Sequence, residues 1–297
     1  MDELHIIGVD LAKHDFQVHG SDKSGRVLFR KKLYRPQFSK FLTEVPVCII
    51  AMEACSTAHH WGREAQALGF KVLLVPPLYV KPFVKRHKND EVDAEAIVEA
   101  ALRPSMSFVA VKTKKQQAQA VIFRTRDLYL HQRTQLINAL RGHLSEYGVL
   151  LPSSRASVAR MVSALGEHSD ELPVPVRAMA KCLADYIEAT TKQIDTTLKK
   201  VAVASPEAKR LHTMPGVGPI TAVAIKAFCP NPKTFKPGRG FAAWLGLGPR
   251  QVSTEGKERF GPVTKMGQRD NRRLLVTGAM SVISAATKKG VATIRGL

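Results

Sequence analysis

The sequence predicts an α/β domain followed by a largely helical remainder, with a basic, turn-rich end. Three observations carry this. Short apolar runs alternate with helix-length stretches over the first hundred residues. Apolar side chains then recur every seven residues from Phe123, and Pro and Gly punctuate the last third.

His5-Ile-Ile-Gly-Val-Asp10 is a short apolar run ending on a carboxylate, the first expected strand. Asp15–Gly20 and Arg26–Tyr34 read as the next two strands, joined by the turn-forming Ser21-Asp-Lys-Ser-Gly25. A short helix is expected near Phe38–Val45. The buried strand Val47–Met52 follows and ends on Glu53. Ser56 or Thr57 can cap a helix to Leu68, and Lys71–Val75 is a strand stopped by Pro76-Pro77. The basic stretch Lys81–Lys88 leads into a helix from Asp90 to Leu102.

In the middle region Phe123, Leu130, Ile137 and Leu144 keep a seven-residue spacing, with Leu140 and Tyr147 three residues further on. That spacing holds side chains on one stripe, as a coiled-coil seam requires, although Arg126 and Arg133 interrupt it. A second helix from about Val176 carries Leu183, Ile187, Thr190, Ile194 and Val201 at four- and three-residue steps. The breaks at Leu151-Pro-Ser-Ser and Leu172-Pro-Val-Pro175 separate the two. Two ordinary amphipathic helices packed in one domain would show the same pattern. The last third opens with His212-Thr-Met-Pro-Gly-Val-Gly-Pro219, a turn between helices, and continues into a helix from Ile220 to Phe228.

Charge narrows the partners. The 297 residues hold 45 Lys and Arg against 25 Asp and Glu, a net +20, which favours a polyanion through counterion release. From Ser205 onward 16 basic residues face 4 acidic ones, so the phosphate-gripping surface is expected mainly there. No uninterrupted apolar segment of ~18 residues can span a membrane. The N-terminus lacks the pattern of a secretion signal, and the four cysteines form no C-x-x-C pair, so a reducing cytoplasm is the expected location.

Four carboxylates stand where a two-metal nuclease places them. Asp10 ends the first strand, and Glu53 ends the strand that lies beside it in a ribonuclease-H sheet. Asp90 and Asp93 are three apart on a helix and so share a face. Hard oxygen ligands of this kind suit magnesium, or manganese, and in-line phosphoryl displacement. Strand-end capping would account for Asp10 and the helix dipole for Asp90 and Asp93, and Glu53 alone is unremarkable. Lys85, Arg86 and Lys88, just before Asp90, would guide a phosphate backbone toward the metals. His59 and His60 point in different directions on a helix and are expected to pack or to touch phosphate.

Pro215-Gly-Val-Gly-Pro219 resembles a helix-hairpin-helix turn, in which Gly216 and Gly218 let backbone N–H groups approach phosphate. In Arg250-Gln-Val-Ser-Thr-Glu-Gly-Lys-Glu-Arg-Phe-Gly261 a serine lies in a polar, basic loop, with Arg250, Lys257 and Arg259 able to stabilise charge at phosphorus.

Taken in order, Gly8-Val-Asp10, Met52-Glu-Ala-Cys-Ser56, Asn89-Asp-Glu-Val-Asp-Ala94, Met214–Pro219, Trp244–Ser253 and the run from Gly256 through Lys265 to Leu275 resemble one family. It is the DEDD-type insertion-sequence transposases, the IS-one-ten and IS-eleven-eleven family, and the likeness covers nearly the whole chain. The resemblance implies a RuvC-like, ribonuclease-H-like domain over 1–112, with Asp10, Glu53, Asp90 and Asp93 as its magnesium-binding tetrad. It implies a helical, coiled-coil dimerisation region over 113–204. Over 205–297 it implies a mainly helical C-terminal transposase domain supplying Ser253 as nucleophile, with Thr254 a second hydroxyl beside it. Lys265 joins the expected nucleic-acid contacts. The implied partners are double-stranded donor and target DNA, a non-coding bridge RNA, and further copies of the chain in a dimer or tetramer. Where many members carry Gly-Gly after the two hydroxyl residues, this chain has Glu255-Gly256. Members usually continue past the final helix; a truncated chain or a short member would each explain the end at Leu297. A junction resolvase of RuvC type that cuts by water attack is the main alternative, and a non-catalytic nucleic-acid scaffold is the second.

Overall fold

A computed structural model describes residues 3–83, 90–151, 163, 166, 172–202, 206–232, 235, 238–252, 254 and 257–289. The chain divides into two compact units, Met1–Lys115 and Gln116–Leu297.

The first unit is built on a five-stranded mixed sheet in the order β3-β2-β1-β4-β5. Its strands are β1 (Ile6–Leu11), β2 (Asp15–Ser21), β3 (Val27–Tyr34), β4 (Ile49–Glu53) and β5 (Lys71–Val75). β1 runs antiparallel to β2 and parallel to β4, and β4 runs parallel to β5. The β2–β3 turn closes on Asp22, whose carboxylate accepts hydrogen bonds from the Ser24 and Arg26 amides, with Gly25 at φ 88°. Helices α1 (Arg35–Glu44) and α2 (Ala58–Ala67) cover one face. Alternate residues Ile7, Val9, Phe16, Val18, Ile50 and Met52 point into that core, as the period of two requires. There Phe16, Phe38 and Trp61 meet edge to face, each pair of ring centres 5.2 Å apart. The other face packs on α3 (Pro77–Val80) and α4 (Asp90–Ala101) through Ile6, Ala51, Val75, Val80, Ile97 and Val98.

In the second unit, α5 (Lys114–Ser145) and α6 (Val174–Ala202) pair antiparallel within one chain. Leu140 and Leu144 of the seven-residue stripe are buried there against Ala180 and Ile187. The other end of the stripe packs elsewhere. Phe123, with Ala120, is buried against Ala224, Ala227 and Phe228 of α8 (Pro219–Phe228). Leu130 and Ile137, between them, are half-buried. The stripe read as a seam for self-association is thus covered at both ends within the chain. The helices expected over 113–204 share a unit with the last third. Arg126 and Arg133, which interrupt the stripe, are both half-buried. Burial depresses the Arg126 pKa, and Asp127 and Asp195 offset part of that cost.

The rest of this unit comprises α7 (Pro206–His212), α9 (Gly238–Leu245), the hairpin β6 (Pro249–Gln251) and β7 (Phe260–Val263), and α10 (Arg269–Lys289). Among the described residues no helix is long and apolar enough to cross a membrane.

Candidate active site

The parallel pairing of β1 with β4 positions the first two acids. The register sets Gly8 beside Ala51 and Val9 beside Met52, and the next residue on each strand is a carboxylate, Asp10 and Glu53. Because side chains alternate, Gly8, Asp10, Ala51 and Glu53 share the face that α4 covers. α4 lies unusually close. A Cβ on Gly8 would stand 2.5 Å from Val98 Cγ2 and closer still to the Ala94 carbonyl oxygen. That approach seats Asp93, the neighbour of Ala94, beside the strand ends.

Burial raises the Glu53 pKa, the Asp93 carboxylate raises it further, and Lys81 opposes both. Such a pair needs a positive partner to hold both groups ionised, and an all-oxygen set suits a hard divalent cation. Among the described residues no three His, Cys, Asp or Glu converge tightly enough to define a metal site. The fourth acid bears on this, because the Asp90 side chain lies outside the described residues, at the first position of α4.

Across the sheet, Asp10 pairs with Gln17 and Gln17 with Lys32, so a polar row runs from Glu53 to the sheet edge. Lys32 bonds Asp15 at 2.5 Å, and Arg30 bonds Glu95 of α4 at 2.8 Å, tying that helix to β3. His59 is not free to hold a metal or a phosphate through Nδ1, which accepts the Lys112 amide at 3.2 Å. Burial and the nearby Lys112 and Arg63 charges bring its pKa down to about 4. His60 leans on Trp61, ring centres 5.0 Å apart. Sequence reasoning gave no role at the acidic pair to Lys81. It stands just past the Pro76-Pro77 stop, and no spacing rule ties it to Glu53.

Lys85, Arg86, Lys88 and Ser253 lie outside the described residues. Of the serine's surroundings, β6 and β7 pair at Gln251–Phe260, and the Val252 amide bonds Arg259 O at 2.9 Å. Arg250, Lys257, Arg259 and Lys265 are all exposed on or beside this hairpin. The two turn glycines differ in surroundings. Gly216, at φ 80°, abuts the backbone of Gly278 on α10, and a Cβ on it would meet Gly278 C and O at 2.9 Å. A Cβ on Gly218 would meet nothing within 4 Å, and this residue caps the start of α8. The acidic set and the hairpin fall in different units.

Comparison with known proteins adds to this geometry. A family model described as "Transposase IS116/IS110/IS902 family" matches residues 208–293, and another described as "Transposase", for DEDD proteins of the IS110 type, matches 7–149. The chain is 40% identical over 299 residues to a probable family 20 transposase of Pseudomonas aeruginosa, covering 99% of this chain and 88% of that protein. It is 39% identical over 279 residues to the transposase for insertion sequence element IS1328 of Yersinia enterocolitica, covering 93% and 83%. With the transposase for element IS1111A of Coxiella burnetii the identity is 35% over 295 residues, covering 97% and 80%. Similarity at this level over 93–99% of the chain, together with both family matches, identifies it as a transposase belonging to the IS116/IS110/IS902 family.

Proposed function

We propose that this transposase cuts and rejoins DNA by joining a metal-dependent acidic site to a serine nucleophile. The observation that carries the reading is the adjacency of Asp10 and Glu53 on parallel strands, with Asp93 laid beside them by α4. We read the five-stranded sheet as ribonuclease-H-like, of RuvC type. Asp10, Glu53, Asp90 and Asp93 are the residues that would hold magnesium, or manganese, and the ion would supply Lewis-acid stabilisation of charge on phosphate oxygens. Lys81 limits repulsion between Glu53 and Asp93.

Ser253 Oγ bonds to phosphorus while the phosphorus–oxygen bond to the leaving strand breaks. The serine proton is given up, and the departing oxygen takes one up. The phosphoserine ester keeps the energy of the broken link, so joining to a new strand needs no nucleotide. Arg250, Lys257, Arg259 and Lys265, exposed around the hairpin, serve phosphate contact, as do Lys85, Arg86 and Lys88 before α4. Gly218 has open space for a phosphate, whereas Gly216 serves to dock the turn on α10. A non-coding bridge RNA guides the choice among double-stranded donor and target DNAs, and the working form is a dimer or tetramer.

Strand cleavage measured in magnesium, in EDTA and with the Asp10→Asn and Asp93→Asn variants tests the metal site. Activity should vanish in EDTA and in both variants while DNA binding persists, because binding rests on the basic surface. Full activity in EDTA would remove the metal from the mechanism.

A further inference from the structure

The roots of the β6–β7 hairpin are held by an interlock. The Thr264 amide donates to Gly248 O at 2.9 Å, the Lys265 amide to Gly246 O at 3.1 Å, and the Gln268 amide to Trp244 O at 2.8 Å. Gly246 and Gly267 touch backbone to backbone, with no room for a Cβ on either. Lys265 is held at φ 56°, a left-handed conformation that an L-residue keeps only where its surroundings impose it. Arg272 Nη1 ties this interlock to α10 by donating to Leu245 O at 2.8 Å.

The same turn of α10 is fastened to α5 on its other side. Arg124 meets Asp270 at 2.9 Å, and Asp127 meets Arg273 at 2.5 Å. The charges are reciprocal: each helix offers one acid and one base three residues apart, in opposite order. The acids are the sheltered members of both pairs, the Asp270 and Asp127 side chains 10% and 16% exposed against 59% and 44% for Arg124 and Arg273. Asn271, between the two arms, is fully buried. The Arg124 guanidinium also lies 5.2 Å from the centre of the Phe228 ring.

We propose that this reciprocal clamp sets the position of the β6–β7 hairpin, making Arg124, Asp127, Asp270 and Arg273 positioning residues for the serine loop. The assignment rests on the serine reading above for its role in the reaction, and on geometry alone for its effect on the hairpin. Rigidity passes from α5 through the two ion pairs to α10, from Arg272 to Leu245, and through the glycine interlock to both strands.

Amide hydrogen exchange at Thr264, Lys265 and Gln268 of the full chain tests the mechanical part, without DNA. Arg273→Asp should speed exchange at these three amides about tenfold. The reversed pair, Asp127→Arg with Arg273→Asp, should return it to near the original rate, while β1 and β4 amides stay unchanged throughout. If Arg273→Asp folds poorly, Arg273→Met supplies the milder break, with the same direction expected. Unchanged exchange in the single variants, or no recovery in the reversed pair, would overturn the clamp. The reaction part is read as a fall in kcat for cleavage at constant KM for DNA, restored by the reversed pair. Exchange that follows the clamp with an unaltered kcat would overturn the positioning role. An absence of any protein–DNA adduct in the unmodified protein would instead remove the serine reading and leave the exchange result standing.

Discussion

Gly8→Ala is the smallest change that separates α4 from the sheet. The new Cβ would stand 2.5 Å from Val98 Cγ2 and nearer to the Ala94 carbonyl oxygen, where ordinary contact begins at 3.4 Å. Val98 can turn aside, but Ala94 O is backbone inside a helix, so α4 must retreat by about 1 Å. Overpacking of this kind costs about 1–3 kcal/mol. Its larger effect falls on the reaction. Asp93 adjoins Ala94 and moves with it away from Asp10 and Glu53; if it is a metal ligand as proposed, a 1 Å displacement costs roughly 100-fold in rate. Thermal unfolding and single-turnover cleavage measure the two effects on the same sample. Adding Val98→Ala should recover part of the stability and little of the rate, because the backbone collision remains. A Gly8→Ala protein with full cleavage and unshifted unfolding would refute the placement of α4 over β1.

Since burial and Asp93 raise the Glu53 pKa, the folded state keeps a proton that the unfolded chain has released, and stability falls as pH rises through that window. Metal-free Glu53→Gln should therefore melt above the parent protein at pH 7, with the gain fading below about pH 4, and magnesium should raise the parent's Tm more than the variant's. A variant that melts lower at pH 7 would count against this sign. Leu144→Ala removes a fully buried side chain between α5 and α6 and should cost about 2–5 kcal/mol in denaturant unfolding of the second unit; a cost under ~1 kcal/mol would mean that the helix pair is open in solution.

The strands of the first unit were legible because each apolar run ends at a turn signal or a carboxylate, and β5 falls on the expected Lys71–Val75. The pairing of Asp10 with Glu53 was legible for the same reason, since both close a buried strand. Lys81 was not, because only the folded chain brings it to Glu53. Seven-residue spacing located the buried stripe of α5. Periodicity identifies a face without saying what covers it, and here α6 and α8 do. The β6–β7 hairpin escaped notice because Pro249–Val263 is polar and its strands stay largely exposed, leaving no alternation to read. The clamp was equally hidden, with Asp127 and Arg273 standing 146 residues apart.

The covalent state of the DNA during cutting tests the central claim most directly. Cleavage reactions quenched in detergent and mapped by mass spectrometry should yield DNA esterified to Ser253, and the adduct should be absent from Ser253→Ala. An adduct that survives in Ser253→Ala and disappears in Thr254→Ala would move the nucleophile by one residue. Cleaved DNA with free ends and no adduct under any quench would contradict the serine mechanism and leave attack by water at the acidic site.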